Sequence, residues 1–117
     1  MNEEQLKART KQFALGVINL VSTVPSTSLG RTIGNQLLRS GMSVGANYRA
    51  ACRGRSKADF VAKLGIALEE ADECLYWMEL LQEAQVLPAE KLQGLRQEAD
   101  QLVAIFHASV KTARSRA

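Results

Sequence analysis

The chain has 117 residues, 46% of them hydrophobic, and only two prolines. That is the size of a single globular domain with a modest core, and it argues against a fold of many short strands and turns. The net charge of +3 hides a strong segregation. Residues 1–57 hold nine Lys/Arg against two acids, a net +7, and residues 58–87 hold one Lys against seven acids, a net −6. Residues 88–117 carry five basic and three acidic residues, a net +2. Signs are normally interspersed on a solvated surface, so this split points to a partner of opposite charge, either a polyanion or the acidic stretch of another copy.

Helix 1 is predicted over about 4–23. Leu6, Phe13, Val17, Leu20 and Val24 recur at helical spacing, and Pro25 with the following Ser and Thr residues closes the element. Ser28 is the expected cap of helix 2, predicted over 29–53 with a core stripe of Ile33, Leu37, Val44, Tyr48 and Ala51. Gly34, Gly41 and Gly45 lie inside it. Each costs about 1 kcal/mol against alanine, which implies a compensating close approach of another helix. Gly54 fits a position just past the helix end, and Ser56 to Asp59 resembles a capping box for helix 3, predicted over 56–85. Helix 3 has a core seam of Phe60, Leu64, Ala67, Leu68, Ala71, Leu75, Met78 and Leu81. Its opposite side is apolar as well, with Ala62, Ile66, Trp77, Leu80 and Ala84. Glu73 lies among them and Glu70 flanks them. An outward apolar strip on a surface helix reads as a subunit interface, with Ile66, Glu70, Glu73, Trp77 and Leu80 as its candidate residues. Helix 4 is predicted over 89–113, opened by Pro88 and carrying Leu92, Leu95, Ala99, Leu102, Phe106 and Val110. Four amphipathic helices with short connections predict an all-α, antiparallel, up-down-up-down four-helix bundle spanning residues 1–117.

The residue types for chemistry are sparse. Cys52 and Cys74 form no CxxC pair or metal-ligand spacing and read as reduced, buried thiols. The acidic run from Glu69 to Glu73 lacks the Glu-x-x-His partners of a carboxylate-bridged metal bundle, and His107 is the single histidine. No phosphate-cradling loop or nucleophile–base pair is evident. The expectation is therefore no enzyme, no metal, no cofactor and no small-molecule substrate. The start Met-Asn-Glu-Glu is unlike a secretory leader, and no apolar run approaches the ~18 residues of a membrane span. A cytoplasmic protein without membrane contact is expected. The remaining functional signal is basic. Arg39, Arg49 and Arg53 fall within an arc of about 80° opposite the core stripe of helix 2, over a rise of roughly 21 Å. Arg55 and Lys57 continue the series through the hinge.

Three stretches carry a family resemblance: Gln36 to Gly41, Gly45 to Cys52 and Lys63 to Glu73, continuing through Leu75 to Leu81. There the chain resembles the four-helix-bundle proteins encoded by intervening sequences of bacterial 23S ribosomal RNA genes, which are related to the accessory variability protein of diversity-generating retroelements. The resemblance implies a ring-shaped homo-oligomer, in all expectation a homopentamer, and by fold-level analogy a nucleic-acid-binding role without catalytic residues. The expected function is a non-enzymatic oligomer that binds RNA or DNA, RNA favoured, with Arg39, Arg49, Arg53, Arg55 and Lys57 on phosphates. The alternative is a structural or adaptor oligomer that binds protein only and uses the basic face between subunits.

Overall fold

The computed structural model describes residues 1–116 and contains four helices: α1 Glu3–Val21, α2 Ser28–Cys52, α3 Lys57–Glu83 and α4 Ala89–Ser115. They form a rod of 50 × 20 × 20 Å. The α2–α3, α3–α4 and α1–α2 seams are extensive and the α1–α4 seam is thin, while α1 and α3 lie on one diagonal and α2 and α4 on the other. Antiparallel packing is visible in the pairings. Gly45 faces Thr10 where Gly41 faces Val17, and Arg9 reaches Glu98 where Gly16 faces Leu95. This is the up-down-up-down bundle expected from the periodicity.

The helix ends show how local chemistry sets the boundaries. Asn2 and Gln5 form a reciprocal capping box at α1, at 2.8 and 3.0 Å, and start the helix at Glu3, one residue ahead of its predicted start. α1 ends at Val21, two residues early, where the Ser22 and Thr23 hydroxyls bond back to the carbonyls of Asn19 and Leu20. The cap of α2 is Thr27, whose Oγ1 accepts from the Gly30 amide; Ser28 is already helical. Ser56 caps α3 as expected. Gly54 is not left-handed. It is needed for space, since a Cβ there would stand 2.9 Å from the Ala51 carbonyl oxygen. The one left-handed non-glycine residue described is Gln85, with φ of 58°, in a turn where the Val86 amide donates to Leu81 and the Gln85 amide to Gln82.

The core follows the predicted stripes, with Phe13, Val17, Leu37, Val44, Leu64, Met78, Leu92 and Phe106 fully enclosed. Tyr48 and Phe106 meet across the centre with ring centroids 5.9 Å apart. On α3 the seam is shifted: Cys74 is fully buried within it, whereas Phe60, Leu68 and Leu75 are only partly covered. Thr10 and Ser40 are also fully buried. Thr10 is tolerated because its hydroxyl donates to the Lys7 carbonyl at 3.0 Å.

The interior glycines divide into two groups. A Cβ at Gly41 would lie 2.8 Å from both methyls of Val17, and one at Gly45 would lie 3.1 Å from Thr10 Oγ1. Gly34 has ordinary spacing to Val21, and Gly65 and Gly94 have no neighbour within 4 Å. Gly41 and Gly45 therefore set the α1–α2 distance. Val17 is β-branched and enclosed, so it has no free rotamer to yield. We expect Gly41→Ala to destabilise the bundle by about 2 kcal/mol, overpacking outweighing the gain in helix propensity. Gly65→Ala or Gly94→Ala should instead stabilise by about 0.5–1 kcal/mol. Urea unfolding of the three variants measures both signs.

Candidate nucleic-acid interface

The bundle brings α1 beside α2 and places the start of α1, the α2–α3 hinge and the end of α4 at one pole. Arg39, Arg49 and Arg53 are all exposed along the outer side of α2, together with Asn35, Met42 and Ala46. Arg55 and Lys57 continue the exposed series at the hinge. Arg39 makes a single long bond, 3.4 Å, to the neutral Gln36 side chain. Among the described residues, none of these five cations has a carboxylate within 4.0 Å.

The nearby acids are committed elsewhere. Glu3 and Glu4, the two acids of the basic half, both pair with Lys7, at 3.5 and 3.4 Å. Asp59 pairs with Lys63 at 3.1 Å and accepts from the Arg55 amide. The bond to Lys63, aided by that amide, holds the Asp59 carboxyl below its ordinary range, so it stays ionised as part of the α3 cap. Glu98 is taken by Arg9 in a two-pronged pair at 2.6 and 2.7 Å that clamps α4 to α1, and the same guanidinium reaches Gln101 at 2.5 Å. The positive charge of α2 is thus left facing outward.

Two features of this surface were not anticipated, because they depend on which helices become neighbours. Lys7 and Lys11 of α1 stand across from Arg49 on the rim of a trough of about 250 Å³ between α1 and α2. At the pole, the Lys57 ammonium donates to the Arg116 carbonyl, and Phe60 shares a shallow depression with Ala108, Thr112 and Arg116. The basic end of α4, with Lys111 and Arg114 beside His107, therefore lies next to the hinge rather than apart from it.

The outer strip of α3 is split. Ile66 and Tyr76 are exposed, at 43% and 53%, and Tyr76 packs edge-on against Trp77 with centroids 5.0 Å apart. Trp77 and Leu80, expected to face outward, pack partly against the core of their own chain, and Glu70 and Glu73 are half-buried. The inward turn leaves Trp77 Nε1 and Glu70 Oε2 buried without a hydrogen-bond partner, and Ser40 Oγ likewise.

The remaining polar groups are quiet. Burial, with the charges of Glu70 and Glu73 adding to it, pushes the Cys74 thiol up to about 12, so it stays protonated and inert. Cys52, expected to be buried, is only half-buried at the end of α2, and that partial burial still raises its thiol. Burial, reinforced by a bond to Cys52, raises the Tyr48 phenol. Among the described residues no three His, Cys, Asp or Glu side chains gather in a metal-binding group. No described helix is long and apolar enough to cross a membrane.

The comparisons with known proteins agree with this fold. The family model described as 23S rRNA-intervening sequence protein matches residues 3–108. The chain belongs to that family of bacterial four-helix proteins. Among solved structures, it is similar to a protein of unknown function from the S23 ribosomal protein family of Bacteroides thetaiotaomicron. The two share 32% identity and a TM-score of 0.87, over 95% of this chain and 99% of that one. No curated protein matches the sequence.

Proposed function

We propose that the protein is a non-enzymatic, self-assembling bundle that binds RNA through the basic side of α2 and the hinge. The observation that carries this reading is the set of exposed Arg39, Arg49, Arg53 and Arg55 side chains with no described carboxylate within reach. Unpaired arginines on a rigid helix are suited to phosphate oxygens, and they give affinity without reading sequence. Titration of labelled structured RNA at several salt concentrations tests the proposal. Arg49→Gln/Arg53→Gln should weaken binding and flatten the log K against log[salt] slope by about 1.5 for two lost phosphate contacts. Absence of binding at low salt, or an unchanged slope in the variant, contradicts it.

Assembly is a separate part of the proposal, supported by the α3 side of the molecule. Exposed Ile66 and Tyr76 stand on the same helix as the half-buried carboxylates Glu70 and Glu73, which gives a second chain apolar area with acidic groups beside it. The same observation favours the second reading, a protein-only adaptor in which the neighbour's arginines approach Glu70 and Glu73. Ring assembly would repeat the basic face and raise avidity, the pentamer being the copy number the family likeness suggests. Light scattering should show a multimer. Ile66→Asp/Tyr76→Asp should dissociate it with helical circular dichroism intact, because both side chains are exposed. A wild-type monomer at micromolar concentration contradicts the assembly. If RNA binding is absent while the multimer persists, the adaptor reading replaces the nucleic-acid one.

A further inference from the structure

We infer that the trough between α1 and α2 seats an unstacked nucleotide of single-stranded RNA, an inference that rests on the nucleic-acid reading above. Its origin is the glycine contact. Gly45 lies against Thr10, so the two backbones are close, and the next positions outward are the small Ala14 and Ala46. Small side chains over a tight seam leave a depression of about 250 Å³, with a mainly apolar floor flanked by Met42. Its charged lining is Lys7, Lys11 and Arg49, and no acidic residue lines it. Lys7 is held by Glu3 and Glu4, which leaves Lys11 and Arg49 as cations without a described carboxylate partner, one on each wall.

The complementary ligand is an anion attached to an apolar, flat body, and a phosphate with its ribose and base is one. A duplex keeps its bases stacked inside and offers phosphates and sugars at its surface, so it engages the cations without filling the floor. A splayed nucleotide does both. Its phosphate sits between Lys11 and Arg49, and its base lies over Ala14 and Ala46 against the Met42 thioether and the plane of the Arg49 guanidinium. The trough continues the arginine row of α2, so a strand crossing it remains on that row.

The test compares an unstructured oligonucleotide with a blunt-ended duplex of the same length by fluorescence anisotropy on the full chain, at fixed salt. Ala46→Leu fills the trough without changing charge, and the site is exposed and helical, so the fold is retained. It should weaken single-strand binding about fivefold, the loss of roughly 40 Å² of apolar burial against the trough floor, and leave the duplex unaffected. Met42→Ala should act in the same direction. If Ala46→Leu binds both ligands like wild type while Lys11→Gln/Arg49→Gln weakens both, the trough inference is overturned and the broader reading stands. If neither oligonucleotide binds the wild type, both are overturned. If Ala46→Leu lowers the assembly mass along with RNA affinity, a second copy of the chain occupies the trough and the inference is overturned.

Discussion

The closeness of α1 and α2 rests on two backbone positions. Gly41 accepts the Val17 methyls and Gly45 accepts Thr10, with no room for a Cβ at the first and little at the second. Most later features depend on that approach. It lets Thr10 be buried, with its hydroxyl returned to the Lys7 carbonyl. It leaves the small Ala14 and Ala46 over the seam as a trough rather than a ridge, and it brings Lys11 across from Arg49. Glycine here costs helix propensity and gains a surface on which two helices present charge together.

The second organising constraint is the distribution of acids. With Glu3 and Glu4 on Lys7, Asp59 on Lys63 and Glu98 on Arg9, local pairing neutralises Lys7, Lys63 and Arg9 but leaves the α2 arginines without a described carboxylate partner. The pairs at Lys7 and Lys63 contribute little stability, about 0–1 kcal/mol each, so their larger effect is on the surface field, whereas the part-buried Arg9–Glu98 pair also ties α4 to α1. The acidic stretch of the chain lies on α3, where Glu70 and Trp77 carry buried atoms without described partners while Ile66 and Tyr76 face outward. Positive charge is thus concentrated along α2 and the hinge and acidic charge on α3, which also exposes Ile66 and Tyr76. One surface suits a polyanion and the other a second polypeptide, and the two can be used at once.

Much of the fold was legible in the sequence, because amphipathic periodicity belongs to a single helix: Leu37, Val44, Leu64 and Leu102 lie where their spacing places them. Caps were less legible. Thr27 displaces Ser28 as the cap of α2, the Asn2–Gln5 box lies outside the expected caps, and the left-handed Gln85 carries no glycine signal, whereas Gly54 does stand just past the end of α2. The candidate site was half legible. The arginines of α2 share a face by arithmetic alone, but the joining of Lys11 to Arg49, or of the α4 end to the hinge, needs the packing order of helices. Trp77 shows the same limit from the other side. A helix wheel placed it outward, and the breadth of the α2–α3–α4 packing turned it partly in.

The central claim is that α2 and the hinge, with the facing side of α1, form the nucleic-acid surface, while α3 serves contact between chains. Photocrosslinking to RNA carrying thiouridine, followed by mass spectrometry of the crosslinked peptides, reads this directly. Crosslinks should fall on peptides spanning residues 7–18 and 39–57 and be lost with Arg49→Gln/Arg53→Gln. Crosslinks concentrated on the acidic face of α3, between residues 66 and 80, or none above background, would contradict it.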